Sequence, residues 1–274
     1  MTQLKALIWM LIPLVGSAGA QTGSPDSSGE SPMTSAGTFQ MEPVKQLRKG
    51  VDMWPLIVNA GSPVEQRVNA TLTKLNNRLT QALKDCDAGA IEQSKQMGDT
   101  AKDKDPTSGD WSRKVQVTMN GPRFLSLVAT DEAFCGGAHP NSGQMALVFD
   151  MTTGAPVNWL ALVAKSAGAS TYSDTVVDGS TAGALILPAL QKMNLAAANG
   201  DCKDAFQDPQ SFLLWPDAAS GTLVAMPFDL PFATQACANP IKLTIDQARK
   251  LGFSESLLGA IEQANRQTGA APKP

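Results

Sequence analysis

The chain contains a single histidine, His139, among 274 residues. That excludes a zinc site built from several imidazoles, and it obliges any Ser–His or Cys–His catalysis to use this one ring. Tyrosine occurs once and aromatics make up only 5%, so a core has to rest on Leu, Val, Ala, Met and Ile. The four cysteines, at 86, 135, 202 and 237, form no CxxC pair, which removes the zinc-ribbon and thioredoxin readings. Neither a GxSxG elbow nor a GxxxxGK[ST] phosphate loop is present. Asp103 and Asp105 beside Lys102 and Lys104 lack the EF-hand order, and no spacing of carboxylates around His139 favours a metal. No cofactor or metal is therefore expected. A formal charge of −3 and a pI near 5.2 argue against a nucleic-acid surface. The 43% of hydrophobic residues suffices for a packed core and excludes a wholly disordered chain.

No long apolar run is present either. The longest, Ala6 to Gly16, is eleven residues, too short to span a bilayer, which takes about 20. Lys5 precedes it and Ala18-Gly19-Ala20 follows, so residues 1–20 read as a signal peptide cut after Ala20. Gln21 rather than Cys follows the cut, which disfavours a lipoprotein. The expected location is periplasmic or secreted, with no stable membrane span after cleavage. In such an oxidising compartment four cysteines suggest two disulfides. Three pairings are open from sequence, and Cys135–Cys237 with Cys86–Cys202 is the preferred one.

Residues 21–37 are Ser-, Gly- and Pro-rich and read as a flexible linker. Ser62-Pro63-Val64-Glu65 is a helix start, with Ser at the cap, Pro behind it and Glu three residues on. Val64, Val68, Leu72, Leu75, Leu79 and Leu83 repeat at helical spacing, and the helix is expected to end near Cys86-Asp87-Ala88-Gly89. Residues 98–110 and 167–180 read as polar loops. Val115, Val117 and Met119, then Leu125, Leu127 and Ala129, alternate about Asn120-Gly121, the mark of a hairpin. Met145, Leu147 and Phe149 add a third strand to an antiparallel meander. A helix is expected over 180–198, with Pro188 either kinking it or marking a start, strands over 211–215, 222–226 and 241–245, and helices over 246–251 and 254–265. Clustering of helices and strands, rather than βαβ alternation, predicts an α+β fold of antiparallel sheets packed against helices. Two closely associated subregions are expected, a helical and mixed one over 38–112 and a second over 113–266, with a polar tail over 267–274.

Three segments carry a likeness to a known family: Phe124-Leu125-Ser126-Leu127, Phe134-Cys135-Gly136-Gly137-Ala138-His139-Pro140-Asn141, and Phe149-Asp150-Met151-Thr152-Thr153-Gly154. Together they resemble the extracytoplasmic domain of RsiV-type anti-sigma factors, a module also found N-terminal to peptidoglycan deacetylases of the PdaC type. Trp54-Pro55-Leu56-Ile57 and Val68-Asn69-Ala70 are similar to its N-terminal half, so the likeness spans roughly 50–255. The sequence departs from the pattern at Cys135, in a position the family gives to a small or polar residue. It departs again at Phe228-Asp229-Leu230-Pro231-Phe232, which has no tyrosine. The resemblance implies the fold, an exported location and binding at the cell envelope; in the anti-sigma relatives the ligand is lysozyme. Since no transmembrane helix precedes the module in this sequence and no deacetylase segment follows it, neither membrane signalling nor deacetylation is carried over.

The candidate ligand-binding residues are Gly136, Gly137, His139 and Asn141. The two glycines permit positive φ and close approach, and Pro140 and Asn141 shape the exit of the loop. Asp131, Glu132 and Asp150 are the carboxylates that could orient His139 as an acid or base. A structural imidazole that pins the loop is preferred over a catalytic one, because no nucleophile motif accompanies it. Ser126 and Ser142 are the serines nearby. Trp54, Trp111, Trp159 and Trp215 are expected in the core rather than stacked on sugars. The expected function is a non-enzymatic envelope binding module for a lysozyme-like protein or peptidoglycan fragment, acting through loops near His139 and Cys237. The alternative is an envelope-polymer hydrolase with His139 as general base.

Overall fold

The computed structural model describes residues 39–96, 109–137, 139–171, 176–177, 180–181, 184–228, 230 and 232–269. The expected signal peptide and linker lie outside these residues, as does most of the 98–110 loop. Strands β1 (Gln46–Arg48) and β2 (Val51–Asp52) lead into the helix α1 (Pro63–Gln96). Then come β3 (Asp110–Asn120), β4 (Phe124–Phe134), β5 (Asn141–Asp150) and β6 (Ala155–Pro156). The short strands β7 (Ser170–Thr171), β8 (Val176–Val177), β9 (Ser180–Thr181) and β10 (Ala184–Ile186) follow. The helices α2 (Pro188–Ala197) and α3 (Asp201–Ala205) precede β11 (Ser211–Asp217) and β12 (Thr222–Phe228). A 3-10 segment (Phe232–Cys237), β13 (Ile241–Leu243), α4 (Ile245–Lys250) and α5 (Glu255–Gly269) complete the order.

The fold is α+β, with two large sheets ordered β1-β2-β3-β4-β5-β6 and β13-β12-β11-β10-β7 and a separate pair of β8 with β9. The expected hairpin and meander form as read, β3 with β4 and β4 with β5, all antiparallel. The boundary drawn at residue 112 lies within β3, which pairs with β2 on one side and β4 on the other. The expected helix over 180–198 is corrected. Residues 184–186 are a strand, and α2 begins at Pro188, whose missing N–H costs nothing in a first turn.

Strand alternation explains the layering. Odd residues of β4 (Leu125, Leu127, Ala129) pack with Leu147 and Phe149 against Val68, Leu72 and Leu75 of α1. Even residues (Phe124, Val128) join Ala146 and Val148 in one cluster with Leu213, Trp215 and Val224 of the second sheet, and Phe212, Leu214 and Leu223, on that sheet's other face, belong to the same cluster with Leu257, Leu258 and Ile261 of α5. The first sheet is thus covered by α1 on one face and by a second sheet on the other, so β4 carries no polar-out stripe over its first six residues. Trp54, Trp159 and Trp215 are buried in these cores as expected, whereas Trp111 is only half-buried and donates through Nε1 to Asp131.

The start of α1 matches its expected cap. Glu65 N donates to Ser62 Oγ, and Ser62 N and Gly61 N donate back to Glu65 Oε2 at 2.9 Å. Those donors, that of Ser62 first, hold the Glu65 carboxyl below its ordinary value. Its end is corrected: α1 runs through Gly89 to Gln96. Gly89 marks a close approach rather than a stop, since a Cβ there would meet Cys135 O at 2.5 Å. Length explains the meeting. From Val64, whose carbonyl abuts Gly154, to Gly89 the helix advances about 38 Å at 1.5 Å per residue. The 11 residues of β4 span about 37 Å, so the helix reaches the tip of the β4–β5 hairpin.

Candidate functional site

The Gly136–Asn141 loop is that tip, and it is tied to α1 from several directions. Cys86, on the buried stripe of α1 one turn beyond Leu83, is bonded to Cys135 with a Cα–Cα distance of 4.4 Å. Gly109 and Gly89 make room around the bridge, where a Cβ on either would fall 2.5 Å from Cys86 Sγ or Cys135 O. Gly136 sits at φ +92° against the carbonyl of Gly89, and Gly137 at φ +113°. Gln93 Nε2 donates to Gly137 O at 2.7 Å. The glycines therefore do what the sequence suggested: they adopt positive φ, and Gly136 allows a close approach, which is to the helix.

The second disulfide is Cys202–Cys237, joining α3 to the 3-10 segment beside Phe206 and Leu230. All four cysteines are bonded, but the preferred pairing of Cys135 with Cys237 and Cys86 with Cys202 is overturned. Each cysteine pairs with the segment its own element packs on. The two segments do approach each other, through Ser142 Oγ donating to Gln235 Oε1 at 3.2 Å.

Tied at its base, the tip is open at its end. His139, Pro140, Asn141, Ser142 and Gly143 are exposed, and Phe134 is 37% exposed. His139 Nδ1 lies 3.2 Å from Pro140 O. Two of the carboxylates proposed to orient it are engaged elsewhere. Asp131 Oδ1 accepts from Trp111 Nε1 at 2.9 Å, and Asp131 Oδ2 pairs with Arg113 Nη1. Asp150 accepts from Thr152 N and Oγ1, at the opposite end of β5. Glu132 is exposed on β4. Ser126 is wholly buried and bonded to Thr118 Oγ1 at 2.7 Å, so it is unavailable as a nucleophile. Among the described residues no group of three or more His, Cys, Asp or Glu side chains is placed to hold a metal. No helix among them is long and apolar enough to cross a membrane.

Beside the tip, the two sheets part to leave a cavity of about 290 Å³. Thr130, Ser142 and Gln144 line it from the first sheet, and Leu213, Met226 and Phe228 from the second. Gln144 Nε2 donates to Thr130 Oγ1 at 3.3 Å, while its Oε1 is buried with no partner among the described residues. This cavity was not legible in the sequence, because its walls come from strands about 70–100 residues apart. Arg113 was also missed. It is 5% exposed, pairs with Asp131 and lies 4.8 Å over the ring of Trp54. Next to Lys114 in an alternating strand, its charge gives no sign of being buried.

Residues 53–142 match the family model described as Deacetylase PdaC. The matched segment holds α1, β3, β4 and the whole tip loop. A structure of a DUF3298 family member from Bacteroides fragilis NCTC 9343 is similar at 11% identity and TM-score 0.46, covering 77% of this chain and 87% of that one. A DUF3298 protein from Pseudomonas aeruginosa PAO1 is similar at 11% identity and TM-score 0.43, covering 75% and 84%. No curated protein matches. The deacetylase-associated side of the expected resemblance is matched; these matches do not name an anti-sigma factor. Two disulfides fit an extracytoplasmic domain.

Proposed function

We propose that the protein is an envelope binding module, exported and non-enzymatic, that recognises a lysozyme-like protein or a peptidoglycan fragment through the hairpin tip. The observation that carries this reading is the contrast within the loop. Its base is held by Cys86–Cys135 and by Gln93, while His139, Pro140 and Asn141 face solvent. A loop held in one shape loses little entropy on binding. The match of residues 53–142 to the PdaC family is further support for an envelope setting. Hydrolysis with His139 as base has less support, since Asp131 and Asp150 are engaged away from it.

The test is a pull-down with lysozymes of several types and with muropeptides, run beside a lytic-activity assay. The expected result is saturable binding by one of them that the double variant His139→Ala/Asn141→Ala loses. Absence of binding and of inhibition across all probes would sink the proposal. Turnover of peptidoglycan that is abolished by His139→Ala would replace it with the hydrolase.

A further inference from the structure

The edges of the two sheets differ. β1 is three residues with Arg48, β13 is three with Lys242, and β7 is two. β12 is open beyond its pairing with β13 at Thr222 and from Met226 to Phe228, where Pro227 removes a donor. Short strands, charge and proline are the means by which sheets avoid pairing with other chains. β11 pairs with β10 only from Ser211 to Leu213, and its remainder carries Pro216 and Asp217. β3 meets β2 only at Arg113, and its edge beyond is reached by Asp52 Oδ2 at Val115 N and by Ala218 N at Thr118 O. The other long edge is that of β5. This strand has ten residues, and β6 pairs only with Phe149 and Asp150. Its outer part, Asn141 to Ala146, reads NSGQMA, without charge or proline.

The backbone of that stretch points outward in a defined pattern. Val157 N donates to Val148 O at 2.7 Å, so the backbone groups of Val148 face away from β4. The β4–β5 register is unbroken, so alternation sends those of Ser142, Gln144 and Ala146 to the same side. No backbone hydrogen bond among the described residues reaches them there. Asn141, Ser142 and Gly143 are exposed, and Gln144 and Met145 half-buried.

The cavity between the sheets adjoins this edge, sharing Ser142, Gly143 and Gln144 with it. A strand laid along β5 would turn every second side chain toward it. At about 290 Å³ it is smaller than a drug-sized pocket and suits one large side chain. Leu213, Met226, Phe228 and Leu230 make the far wall apolar. A second copy is a poor occupant, because the residues of another β5 on that face are Ser142, Gln144 and Ala146. None of them is large and apolar.

We infer that the β5 edge from Asn141 to Ala146 accepts an extended segment of a partner protein as an added strand, with one large apolar side chain seated in the cavity. The inference rests on the reading of the chain as a binding module and narrows the partner to a polypeptide. Backbone pairing supplies affinity and the cavity supplies selectivity.

The experiment selects a display library of random 12-residue peptides on the full chain and then measures affinities of the enriched peptides by fluorescence anisotropy. Enriched peptides are expected to carry a large apolar residue flanked by alternating positions, and to slow amide exchange at Ser142 and Gln144. Gln144→Pro removes an outward N–H that the β4 ladder does not use, and should weaken binding roughly tenfold, the scale of one backbone hydrogen bond. Gln144→Thr, which keeps that N–H, should stay within roughly threefold. Ala238→Trp plugs the cavity from its opposite side and should weaken binding as Gln144→Pro does, which guards against misfolding of the proline variant. No enrichment, or equal affinity for both position-144 variants and the plugged form, overturns the inference. A dimer abolished by Gln144→Pro would also overturn it and assign the edge to a second copy. Loss of muropeptide or lysozyme binding in the His139→Ala/Asn141→Ala variant, with peptide binding intact, would separate the tip from the edge.

Discussion

The two halves of β4 are held by different forces. From Phe124 to Ala129 six consecutive residues are buried, between α1 on one face and the second sheet on the other. From Thr130 to Phe134 exposed and half-buried residues alternate. The inner half needs no cross-link, because apolar burial on both faces contributes about 1.5–3 kcal/mol per large side chain. The outer half has little apolar cover, and there the chain supplies a disulfide, three close-packed glycines, the Gln93 bond and the Asp131–Arg113 pair. Burial sets the fold, and specific ties set the posture of the tip.

Truncation at the centre of the inner half has the largest expected effect. Leu127→Ala should cost about 2–5 kcal/mol, read as a lower midpoint in denaturant with an unchanged slope. A smaller loss would mean that the inner half is less tightly packed than its burial suggests. Next comes the double variant Cys86→Ser/Cys135→Ser. It should lose about 2–4 kcal/mol and, unlike Leu127→Ala, should become sensitive to limited proteolysis within residues 134–141. Unchanged proteolysis would show that the disulfide does not hold the tip.

Gly89→Ala tests the contact itself. In an exposed helix the change would gain about 1 kcal/mol of helix propensity. Here the new Cβ meets a backbone carbonyl at 2.5 Å, which cannot swing aside, and overpacking costs about 1–3 kcal/mol. Net destabilisation is expected, and a higher melting temperature would contradict the close approach. His139→Ala should change stability by less than about 0.5 kcal/mol, because the side chain is exposed. A large loss would favour an imidazole that pins the loop.

The smallest effect distinguishes the two ends of α1 by pH. The carboxyl of Glu65 is lowered by its bonds to the backbone of Ser62 and Gly61, so its contribution is present above the ordinary carboxylate value and lost as pH falls through the lowered one. Amides at residues 63–66 should exchange faster in acid, and Glu65→Gln should remove that dependence. The far end, held by a disulfide, should not respond over the same range.

Much of this was legible locally. The capped start at Ser62-Pro63-Val64-Glu65, the stripe from Val68 to Leu83 and the hairpin about Asn120-Gly121 all formed as read. Misreadings had identifiable causes. Cys86-Asp87-Ala88-Gly89 looked like a helix end because glycine commonly follows one, yet this glycine clears a path for Cys135. The stretch before Pro188 looked helical because Leu185, Ile186 and Leu187 are apolar, yet Ala184–Ile186 pairs with β11. Short apolar runs do not distinguish strand from helix. Of the site, the sequence pointed to Gly136, Gly137, His139 and Asn141 as one loop, but not to what holds it or to the cavity beside it.

Periodicity and capping residues determined the α+β class, the helices and the hairpin, because each depends on neighbours within a few turns of chain, and the cysteine count together with the expected export pointed to two disulfides. Only the tertiary structure decided that Cys86 meets Cys135 and Cys202 meets Cys237, and that β5 keeps an open edge over an apolar cavity. The physical reason is distance. A bridge or a cavity wall requires two segments to arrive at the same place, and arrival is set by how far α1 runs along the sheet and how two sheets splay, which no local pattern encodes.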